Sequence, residues 1–511
     1  MRKAAKRGAA ERSMKGMNVV MFITDQDRAI QHFPPGWAKK NLHGLTRLQR
    51  HGVTFANAFT NSCMCSPARA TLMTGYFPAQ HGVKYTLEED MPDTTFPQVE
   101  MPLDLPNIAS VMAAAGYNVV YKGKWHLNKP ADGSDWVPSD VGQYGFARWN
   151  PQDAGANQDV DQAGGGSIDN DGRFMTEDGD MESGHEGALA YLGSVAAQQQ
   201  PFFMIISLVN PHDVLFYPGE NFTLAGYNDS WLQGDIEVPA TADEDLFTKP
   251  SVQKQFLRLF SATGAPHTPQ QKRDYLNFYA NLMVSSDQYL VNVLDTLEST
   301  GLMENTVVIR TADHGEMGLA HGGLRQKNFN FYEESLRVPL VFSNRALFPD
   351  AVESDALVSH VDFLPTLASL FGAPEDARAE WQGVDYARNV LHPEAARAPQ
   401  DYIVFTWDDW QAGQNNGKYL PPPNHIVSIR EARWKLAEYY DAAGQVPSQW
   451  EMYDLKHDPL EMVNLCWEGY VRTAEQEAAF RRLRRKLATI QKTRLTPLPT
   501  TVEWEATVPA D

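Results

Sequence analysis

The sequence contains few cysteines, fewer basic than acidic residues and no long apolar run. Its 511 residues include three cysteines, Cys63, Cys65 and Cys466. These are too few for a disulfide framework and favour a reducing compartment, so we expect a cytoplasmic protein. Lysine and arginine total 44 against 64 aspartates and glutamates, for a net charge of −20, which argues against nucleic acid or an anionic membrane surface as a partner. No stretch is long enough to cross a membrane.

Length and composition predict a globular protein with more than one domain. Hydrophobic residues make up 43% and charged residues 21% of the chain, as in ordinary folded proteins, and 511 residues suffice for two domains. We predict a basic disordered tail at 1–16, a large catalytic α/β domain at 17–375, a smaller α+β domain at 376–494 and an extended C-terminal arm at 495–511. Because extended arms are often held by a neighbouring subunit, a homodimer is expected.

Four apolar runs predict buried strands of a parallel sheet, and each is followed at once by polar residues. The runs are 19–23, 117–121, 202–209 and 306–311, with helical patterns between them. This alternation predicts a doubly wound, mostly parallel α/β sheet. Shorter strand patterns and a basic amphipathic helix at 474–492 characterise the smaller C-terminal α+β domain. Since ligands bind beyond the carboxyl ends of the strands in open α/β sheets, we expect a site built from the residues that follow the apolar runs.

The residues of this expected site form two chemical groups. Asp25, Gln26, Asp313 and His314 come from two distant strand ends and offer hard oxygen ligands with one imidazole, a set that suits a divalent cation such as Ca²⁺, Mg²⁺ or Mn²⁺. The alternative for the two aspartates is that they cap helices or pair with basic residues. Cationic or proton-carrying side chains complete the predicted site: Lys124, His126, His212 and Lys327.

A short stretch around Cys65 predicts an anion site at the start of a helix. Ser66 suits an N-cap, Pro67 suits the first helical position and Gly75 can close the helix. Cys65 then lies just before a helix N-terminus, where unpaired N–H groups favour an anion. Arg69, one turn further on, adds a permanent cation. These features suit a sulfate- or phosphate-sized group.

Two interpretations of this stretch need no special chemistry at Cys65. The first is a buried, inert cysteine, which is common for a free thiol. The second is a cysteine-thiolate phosphatase, because five residues separate Cys63 from Arg69. Pro67 fits that chemistry poorly, since it removes a backbone donor from the phosphate cradle.

The third interpretation is a family resemblance that extends along most of the chain. Cys65-Ser66-Pro67-Ala68-Arg69 resembles the Cys-x-Pro-x-Arg signature of the sulfatase family. Further segments resemble motifs of that family in the family's order, and they span residues 18 to 465. These segments are 18–26, 72–75, 123–127, 211–212, 312–318, 327–339 and 453–465.

The resemblance implies an alkaline-phosphatase-like fold and the hydrolysis of small sulfate esters, as in arylsulfatases. It implies that a formylglycine-generating enzyme oxidises Cys65 to formylglycine, whose hydrate attacks sulfur and forms a covalent sulfo-enzyme intermediate. One divalent metal ion is implied, with Ca²⁺ expected first and Mn²⁺ or Mg²⁺ as alternatives. The implied metal ligands are Asp25, Gln26, Asp313, His314 and Cys65.

The implied catalytic residues divide the work of the reaction. Arg69, Lys124 and His126 would hold the formylglycine diol and its developing charge. Lys124 and Lys327 would neutralise the sulfate oxygens, and His212 would protonate the leaving alcohol oxygen. His126 is our candidate for the base that releases sulfate and restores the aldehyde.

Two residues depart from the pattern of many sulfatases, which have Asp where this chain has Gln26 and Asn where it has His314. In these residues the chain looks like phosphonate monoester hydrolases and phosphodiesterases, but those relatives replace the Lys-Trp-His segment that is intact at 124–126. We therefore favour sulfate esters, with phosphonate monoesters or phosphodiesters as the alternative. A non-catalytic, anion-binding family member would lack Cys65, Arg69 or Lys124, and all of these are present.

Overall fold

A computed structural model of the protein describes two β-sheets with helices around them. The described residues are 12–29, 32–88, 98–130, 135–156, 159–179, 184–194, 196–262, 264–394, 396–410 and 420–498. The larger sheet comprises β1 (Asn18–Thr24), β2 (Gly52–Phe59), β3 (Asn118–Gly123), β4 (Phe202–Leu208), β5 (Thr306–Ala312), β6 (Val341–Ser343) and β7 (Val352–Ser359). The smaller sheet comprises β8 (Tyr402–Trp407), β9 (His425–Glu431), β10 (Trp434–Tyr440) and β11 (Gln449–Asp454).

The larger sheet is mostly parallel and has the strand order β3-β4-β1-β5-β6-β2-β7. Only β6 runs antiparallel to its two neighbours among the paired strands of the described residues. The four apolar runs of the sequence are β1, β3, β4 and β5, which lie side by side, so their carboxyl ends meet at one edge of the sheet. The predicted fold class, a mostly parallel α/β sheet with a smaller C-terminal α+β unit, is confirmed.

Helices cover both faces of the larger sheet. The helices are α1 (Trp37–Asn41), α2 (His43–Arg50), α3 (Cys65–Thr74), α4 (Pro78–His81), α5 (Ile108–Ala114), α6 (Pro138–Gly142), α7 (Asn170–Thr176), α8 (Ala188–Gly193), α9 (Ala196–Gln199), α10 (Glu220–Leu224), α11 (Ser251–Ala262), α12 (Pro269–Ser299), α13 (Ala320–Gly323), α14 (Glu333–Leu336), α15 (Phe363–Phe371), α16 (Ala387–Leu391) and α17 (Ala474–Thr493). Alternate residues of β1 explain the two layers. Met21 packs in the core with α3, α5 and α15, whereas Phe22 packs in the core with α2, α8 and α12.

The smaller sheet is antiparallel, with the order β11-β10-β9-β8. The predicted amphipathic helix is α17, which packs Leu483 and Leu487 against this sheet. Its basic face is partly paired, since Arg482 and Lys486 both form ion pairs with Glu431 of β9. The domain boundary near residue 375 stays a prediction.

Part of the predicted N-terminal tail is described, and it is packed. Met14 is fully buried in the core of the large sheet, Arg12 donates a hydrogen bond to the carbonyl of Leu391, and the amide of Gly16 donates to the hydroxyl of Tyr117. Residues 12–16 therefore do not behave as the disordered segment that we expected, because apolar Met14 gains burial there. Residues 1–11 and 499–511, which include most of the predicted C-terminal arm, lie outside the described residues.

No helix within the described ranges combines the length and the apolarity that crossing a lipid bilayer requires.

A matched pair of glycine substitutions tests how the sheet edge is built. Gly123 ends β3 with φ +101°, and a Cβ atom there would lie 1.9 Å from the carbonyl oxygen of Ser207 on β4. Gly116 has a similar φ of +91° but no atom within 4 Å of that position. We expect Gly116→Ala to cost about 1–2 kcal/mol of unfolding free energy from its backbone conformation alone. Gly123→Ala adds a backbone clash and should cost roughly 4 kcal/mol or more.

Denaturant unfolding followed by circular dichroism measures both variants. Equal losses of stability would contradict the close approach of β3 and β4 at Gly123.

Candidate active site

The carboxyl ends of four neighbouring strands bring together side chains that are far apart in sequence. Asp25 follows β1, Lys124 follows β3, His212 follows β4 and Asp313 follows β5. All four are buried. The two aspartates, which follow the neighbouring strands β1 and β5, are joined through the backbone, since the amide of Gln26 donates a 3.0 Å hydrogen bond to Asp313 Oδ1. The sheet topology, rather than any local motif, therefore creates the site.

Four of the predicted metal ligands form a compact buried cluster. One ligand atom each from Asp25, Cys65, Asp313 and His314 lies within 4.8 Å of the others. His314 Nδ1 lies 3.1 Å from the carbonyl oxygen of Gly315. Because a carbonyl only accepts, Nδ1 carries a proton, and Nε2 is the ring atom that faces the cluster. Burial opposes protonation of Nε2, but Asp313 outweighs it and raises the pKa of His314, so a bound cation would take the place of a proton at that atom. Two carboxylates, one imidazole lone pair and a dry surrounding suit a divalent cation.

Buried cations hold the two aspartates of this cluster in place. Arg69 donates from Nε to Asp313 Oδ2 at 3.0 Å and from Nη2 to Asp25 Oδ2 at 3.2 Å. Its Nη1 donates to the Lys124 carbonyl and to the Ser207 hydroxyl. Because Nε, Nη1 and Nη2 of Arg69 all donate to protein groups, this side chain holds the two carboxylates in fixed positions. Lys124 Nζ lies 2.5 Å from Asp25 Oδ2.

Neighbouring charges shift the pKa values of the two aspartates in opposite directions. Burial opposes ionisation of Asp25, but the buried cations Lys124 and Arg69 outweigh it and hold its pKa well below the usual value. Burial and the neighbouring charge of Asp25 raise the pKa of Asp313 to about 6. A bound cation would favour the ionised form of both carboxylates and would reduce the repulsion between them.

Cys65 is the first residue of α3, which begins two residues earlier than predicted. The N-cap position is Met64, so the prediction of Ser66 as the N-cap was wrong. The hydroxyl of Ser66 instead accepts a hydrogen bond from the amide of Leu87. Gly75 closes the helix with φ 73°, as predicted.

The thiol of Cys65 faces the carboxylate cluster. Its Sγ lies 3.3 Å from His314 Nε2 and 3.6 Å from Asp25 Oδ1. Burial and Asp25 oppose ionisation of Cys65, but Lys124, Lys327 and His314 outweigh them and lower its pKa to about 6.

The other cysteine of the stretch has a different environment. Cys63 is buried with its Sγ 3.9 Å from the Ser335 carbonyl, and burial raises its pKa well above the usual value. A thiol that resists ionisation is a poor nucleophile. This geometry disfavours the cysteine-thiolate phosphatase interpretation, which needs Cys63 as the attacking group.

The turn after β3 is held by an aspartate that the sequence analysis did not single out. Asp153 accepts backbone hydrogen bonds from Trp125 at 2.8 Å and from His126 at 2.7 Å. Lys124 Nζ donates to the Gly155 carbonyl. Asp153 lies in a segment whose Gly- and Asp-rich composition predicts a loop, and no spacing in the sequence connects it to β3. The residue therefore could be found only in the folded chain.

His126 and His212 are both buried, and within the described part of the chain each has one ring nitrogen without a hydrogen-bond partner. His126 Nε2 lies 2.6 Å from the Leu87 carbonyl, and its Nδ1 makes no hydrogen bond. Burial and Lys124 lower the pKa of His126 to about 3. His212 Nδ1 also has no partner, and burial followed by Lys124 holds its pKa well below the usual value. Both rings are neutral bases in the free protein.

Lys327 reaches the site through a hydrogen-bonded relay. Its Nζ donates to Gln26 Oε1 at 2.7 Å, and Gln26 Nε2 donates to Glu316 Oε2 at 2.6 Å. Glu316 also accepts from the Tyr275 hydroxyl. The carboxylate of Glu316 fixes which end of the Gln26 amide faces Lys327. Glu316 and Tyr275 were not predicted, although Glu316 lies inside a segment that resembles a family motif.

Comparison with protein families gives two matches that together cover most of the chain. Residues 18–373 match the family model described as Sulfatase, and residues 321–493 match that described as N-sulphoglucosamine sulphohydrolase, C-terminal.

Named relatives align over most of their own length. The Delta 4,5-hexuronate-2-O-sulfatase of Bacteroides thetaiotaomicron is 27% identical over 431 residues, which are 83% of this chain and 79% of that protein. The choline-sulfatase of Rhizobium meliloti is 26% identical over 482 residues, which are 88% of this chain and 82% of that protein.

Solved structures share the fold. A 2-O GAG sulfatase has a TM-score of 0.68 at 22% identity, covering 94% of this chain and 93% of that chain. The phosphonate monoester hydrolase of Agrobacterium radiobacter has a TM-score of 0.63 at 20% identity, covering 94% of this chain and 96% of that chain. Because the Sulfatase model matches more than half of the chain, the protein belongs to the sulfatase family of sulfuric ester hydrolases.

Proposed function

We propose that this protein hydrolyses small-molecule sulfate esters with residue 65, converted from cysteine to formylglycine, as its nucleophile. The observation that carries the proposal is the position of Cys65 Sγ, 3.3 Å from His314 Nε2 and 3.6 Å from Asp25 Oδ1. A nucleophile at this atom would lie beside the candidate metal ligands. Lys124 and Lys327 both favour the charged form of this side chain, so they supply the positive potential that an anionic ester needs.

The proposed metal ligands are Asp25, Asp313, His314 and residue 65, with Gln26 as a further candidate. Three of these are held by the protein's own hydrogen bonds: the two aspartates by Arg69 and the imidazole by the Gly315 carbonyl. A bound divalent ion, with Ca²⁺ expected first, would act as a Lewis acid that activates the nucleophile and the sulfate group. Gln26 Oε1 already accepts from Lys327, so we infer that Gln26 mainly orients that lysine.

The remaining residues share the work of binding and charge stabilisation. Lys124 and Lys327 neutralise the sulfate oxygens as negative charge builds up. Arg69 keeps the aspartates in position and contributes its charge through them, which refines the role that the resemblance implied. Asp153 fixes the backbone of His126 in the turn that also carries Lys124. Nδ1 of His126, which has no hydrogen-bond partner among the described residues, is our candidate for the base that releases sulfate.

His212 is the proposed acid for the leaving alcohol. Its Nδ1 has no hydrogen-bond partner among the residues that the structure describes and is therefore available to a substrate oxygen. Burial and Lys124 keep the ring neutral in the free protein. An anionic sulfate bound beside His212 favours the protonated form, so substrate binding itself would supply the proton donor.

The nature of the leaving group is proposed from the relatives. Their names include a hexuronate-2-O-sulfatase and a choline-sulfatase, so we propose a small organic sulfate, with aryl sulfates as convenient test substrates. The shared fold of the phosphonate monoester hydrolase, together with Gln26 and His314, supports phosphonate monoesters or phosphodiesters as a second, promiscuous substrate class.

We also propose a cytoplasmic location, a homodimer and maturation by a formylglycine-generating enzyme.

The mass of residue 65 tests the nucleophile. We expect the purified protein, made in a host competent for the conversion, to show formylglycine in the peptide that contains Cys65, trapped by an aldehyde reagent. Peptide mass spectrometry gives the answer. The variant Cys65→Ala should lose activity by about three orders of magnitude or more, because it removes the attacking group. An unmodified Cys65 in fully active protein would refute the proposed nucleophile.

Substrate preference tests the reaction class. We expect kcat/KM for an aryl sulfate to exceed that for the matching aryl phosphonate monoester, because Lys124 and His126 are both present. Initial rates with the same leaving group compare the two directly, and the formylglycine content is measured on the same sample as a control. A higher kcat/KM for the phosphonate would assign the protein to the alternative class.

The role of Asp153 tests how the turn of Lys124 and His126 is held. Asp153→Asn keeps the size of the side chain but replaces one acceptor oxygen by a donor, which would face a backbone amide. We expect kcat to fall by about 10- to 100-fold through misplaced catalytic groups, with the metal content unchanged. The control is Asp161→Asn, an exposed residue of the same segment. Equal activity of both variants would contradict the positioning role.

A further inference from the structure

A second group of buried ligand-type side chains lies outside the candidate active site. His321, Glu334 and Glu461 are all buried, and one ligand atom from each lies within 4.8 Å of the others. His321 comes from α13, Glu334 from α14 and Glu461 from the segment after β11. The group therefore joins the large α/β unit to the smaller C-terminal sheet.

His321 has the hydrogen-bonding pattern of a metal-binding histidine. Its Nδ1 lies 2.6 Å from Glu244 Oε2, and Glu244 is in turn paired with Lys249. The ring is stacked on Tyr332, with the centroids 3.7 Å apart and the planes within 8°. A carboxylate on Nδ1 fixes the tautomer and leaves the Nε2 lone pair to the other side, as in carboxylate–histidine–metal arrangements.

That Nε2 atom is buried and has no hydrogen-bond partner in the described part of the chain. It faces Glu334, whose Oε2 lies 3.9 Å away, too far for a hydrogen bond. Within the described residues, Glu334 has no lysine or arginine at ion-pair distance. Burying an acceptor nitrogen opposite a carboxylate costs free energy unless a positively charged group lies between the two atoms.

Glu461 supplies the third ligand position, and it keeps its own partners. It accepts a 2.9 Å hydrogen bond from the amide of Glu333, and Lys435 Nζ lies 2.7 Å from its Oε1. A carboxylate offers about four lone-pair sites, so these contacts leave acceptor capacity. Lys435 Nζ also lies 3.1 Å from Glu333 Oε1. Because this second carboxylate offsets the charge of Lys435, the lysine repels a nearby cation less.

We propose that His321, Glu334 and Glu461 form a second metal site, specific for Zn²⁺ or a similar transition-metal ion and separate from the active-site cation. Three atoms that are no more than 4.8 Å apart lie within about 2.8 Å of a common point, so a contraction of under about 1 Å reaches zinc–ligand distances of ~2.0–2.2 Å. A cavity of about 650 Å³, lined by Glu334 and Thr241 and also by Arg337 and Arg430, brings solvent to the Glu334 side of the group.

The donor set selects the ion. One imidazole nitrogen and two carboxylate oxygens suit four-coordinate Zn²⁺ with one water. Ca²⁺ needs six to eight oxygen ligands, which this group does not provide. The role is structural, because the three ligands connect α13 and α14 to the segment that follows β11.

Zinc content tests the proposal on the full-length protein. Wild type and Glu334→Gln are loaded with excess Zn²⁺, freed of unbound metal by gel filtration and analysed by inductively coupled plasma mass spectrometry. We expect Glu334→Gln to hold one equivalent less than wild type. Zn²⁺ should also raise the unfolding temperature of wild type more than that of the variant. The control is Glu468→Gln, an exposed glutamate in the segment after β11 that also carries Glu461, which should behave as wild type.

A variant without the first site isolates the second. Asp25→Asn combined with Asp313→Asn disables the candidate active-site ligands, and this protein should still bind one equivalent of Zn²⁺. Co²⁺ in its place should give the visible absorption of a four-coordinate ion, and adding His321→Ala should abolish it. Equal zinc content in wild type and Glu334→Gln would overturn the proposal and assign His321 as an imidazolium held between Glu244 and Glu334.

Discussion

The buried contact of Arg69 with Asp25 and Asp313 is the interaction on which the site depends. Two aspartates from separate strands of the sheet are fully buried, and without a cation their mutual repulsion and desolvation would be prohibitive. Arg69 reaches both of them from α3, while it also holds the carbonyl of Lys124. One guanidinium thus connects β1, β3, β5 and the helix that begins at Cys65. This one side chain therefore fixes the strand ends, the helix and the candidate active-site residues relative to one another.

Around this contact, further polar side chains hold the residues that we propose to act on the substrate. Asp153 holds the turn of Lys124 and His126, and Glu316 orients Gln26, which orients Lys327. These supports are carboxylates that accept several donors at once, so each fixes the direction of a neighbouring residue as well as its distance. The groups proposed to act on sulfate are therefore held before any ligand arrives, which is the condition for electrostatic stabilisation without reorganisation.

The sequence predicts the fold because its apolar runs are strong and regular. The runs that become β1 and β5 are rich in β-branched residues, as is typical of strands buried on both faces, and polar residues follow each run. The start of α3 was mispredicted because the hydroxyl of Ser66 bonds to Leu87, a contact between distant segments. Asp153 and Tyr275 escaped prediction for the same reason: their roles exist only through tertiary contacts. Met14 shows the converse, since one apolar side chain anchors a segment whose charge predicts disorder.

The burial of Cys65 sets a condition on the proposed oxidation. Cys65 is 2% exposed, and the nearby Ser66 hydroxyl is bonded to the amide of Leu87. An enzyme that oxidises the Cys65 thiol needs access to it, and the folded protein leaves almost none of that residue exposed. The proposed oxidation would therefore have to precede completion of folding, and a chain that folds first would keep its unmodified thiol. The relative rates of modification and folding during synthesis would then set the fraction of converted molecules in a preparation.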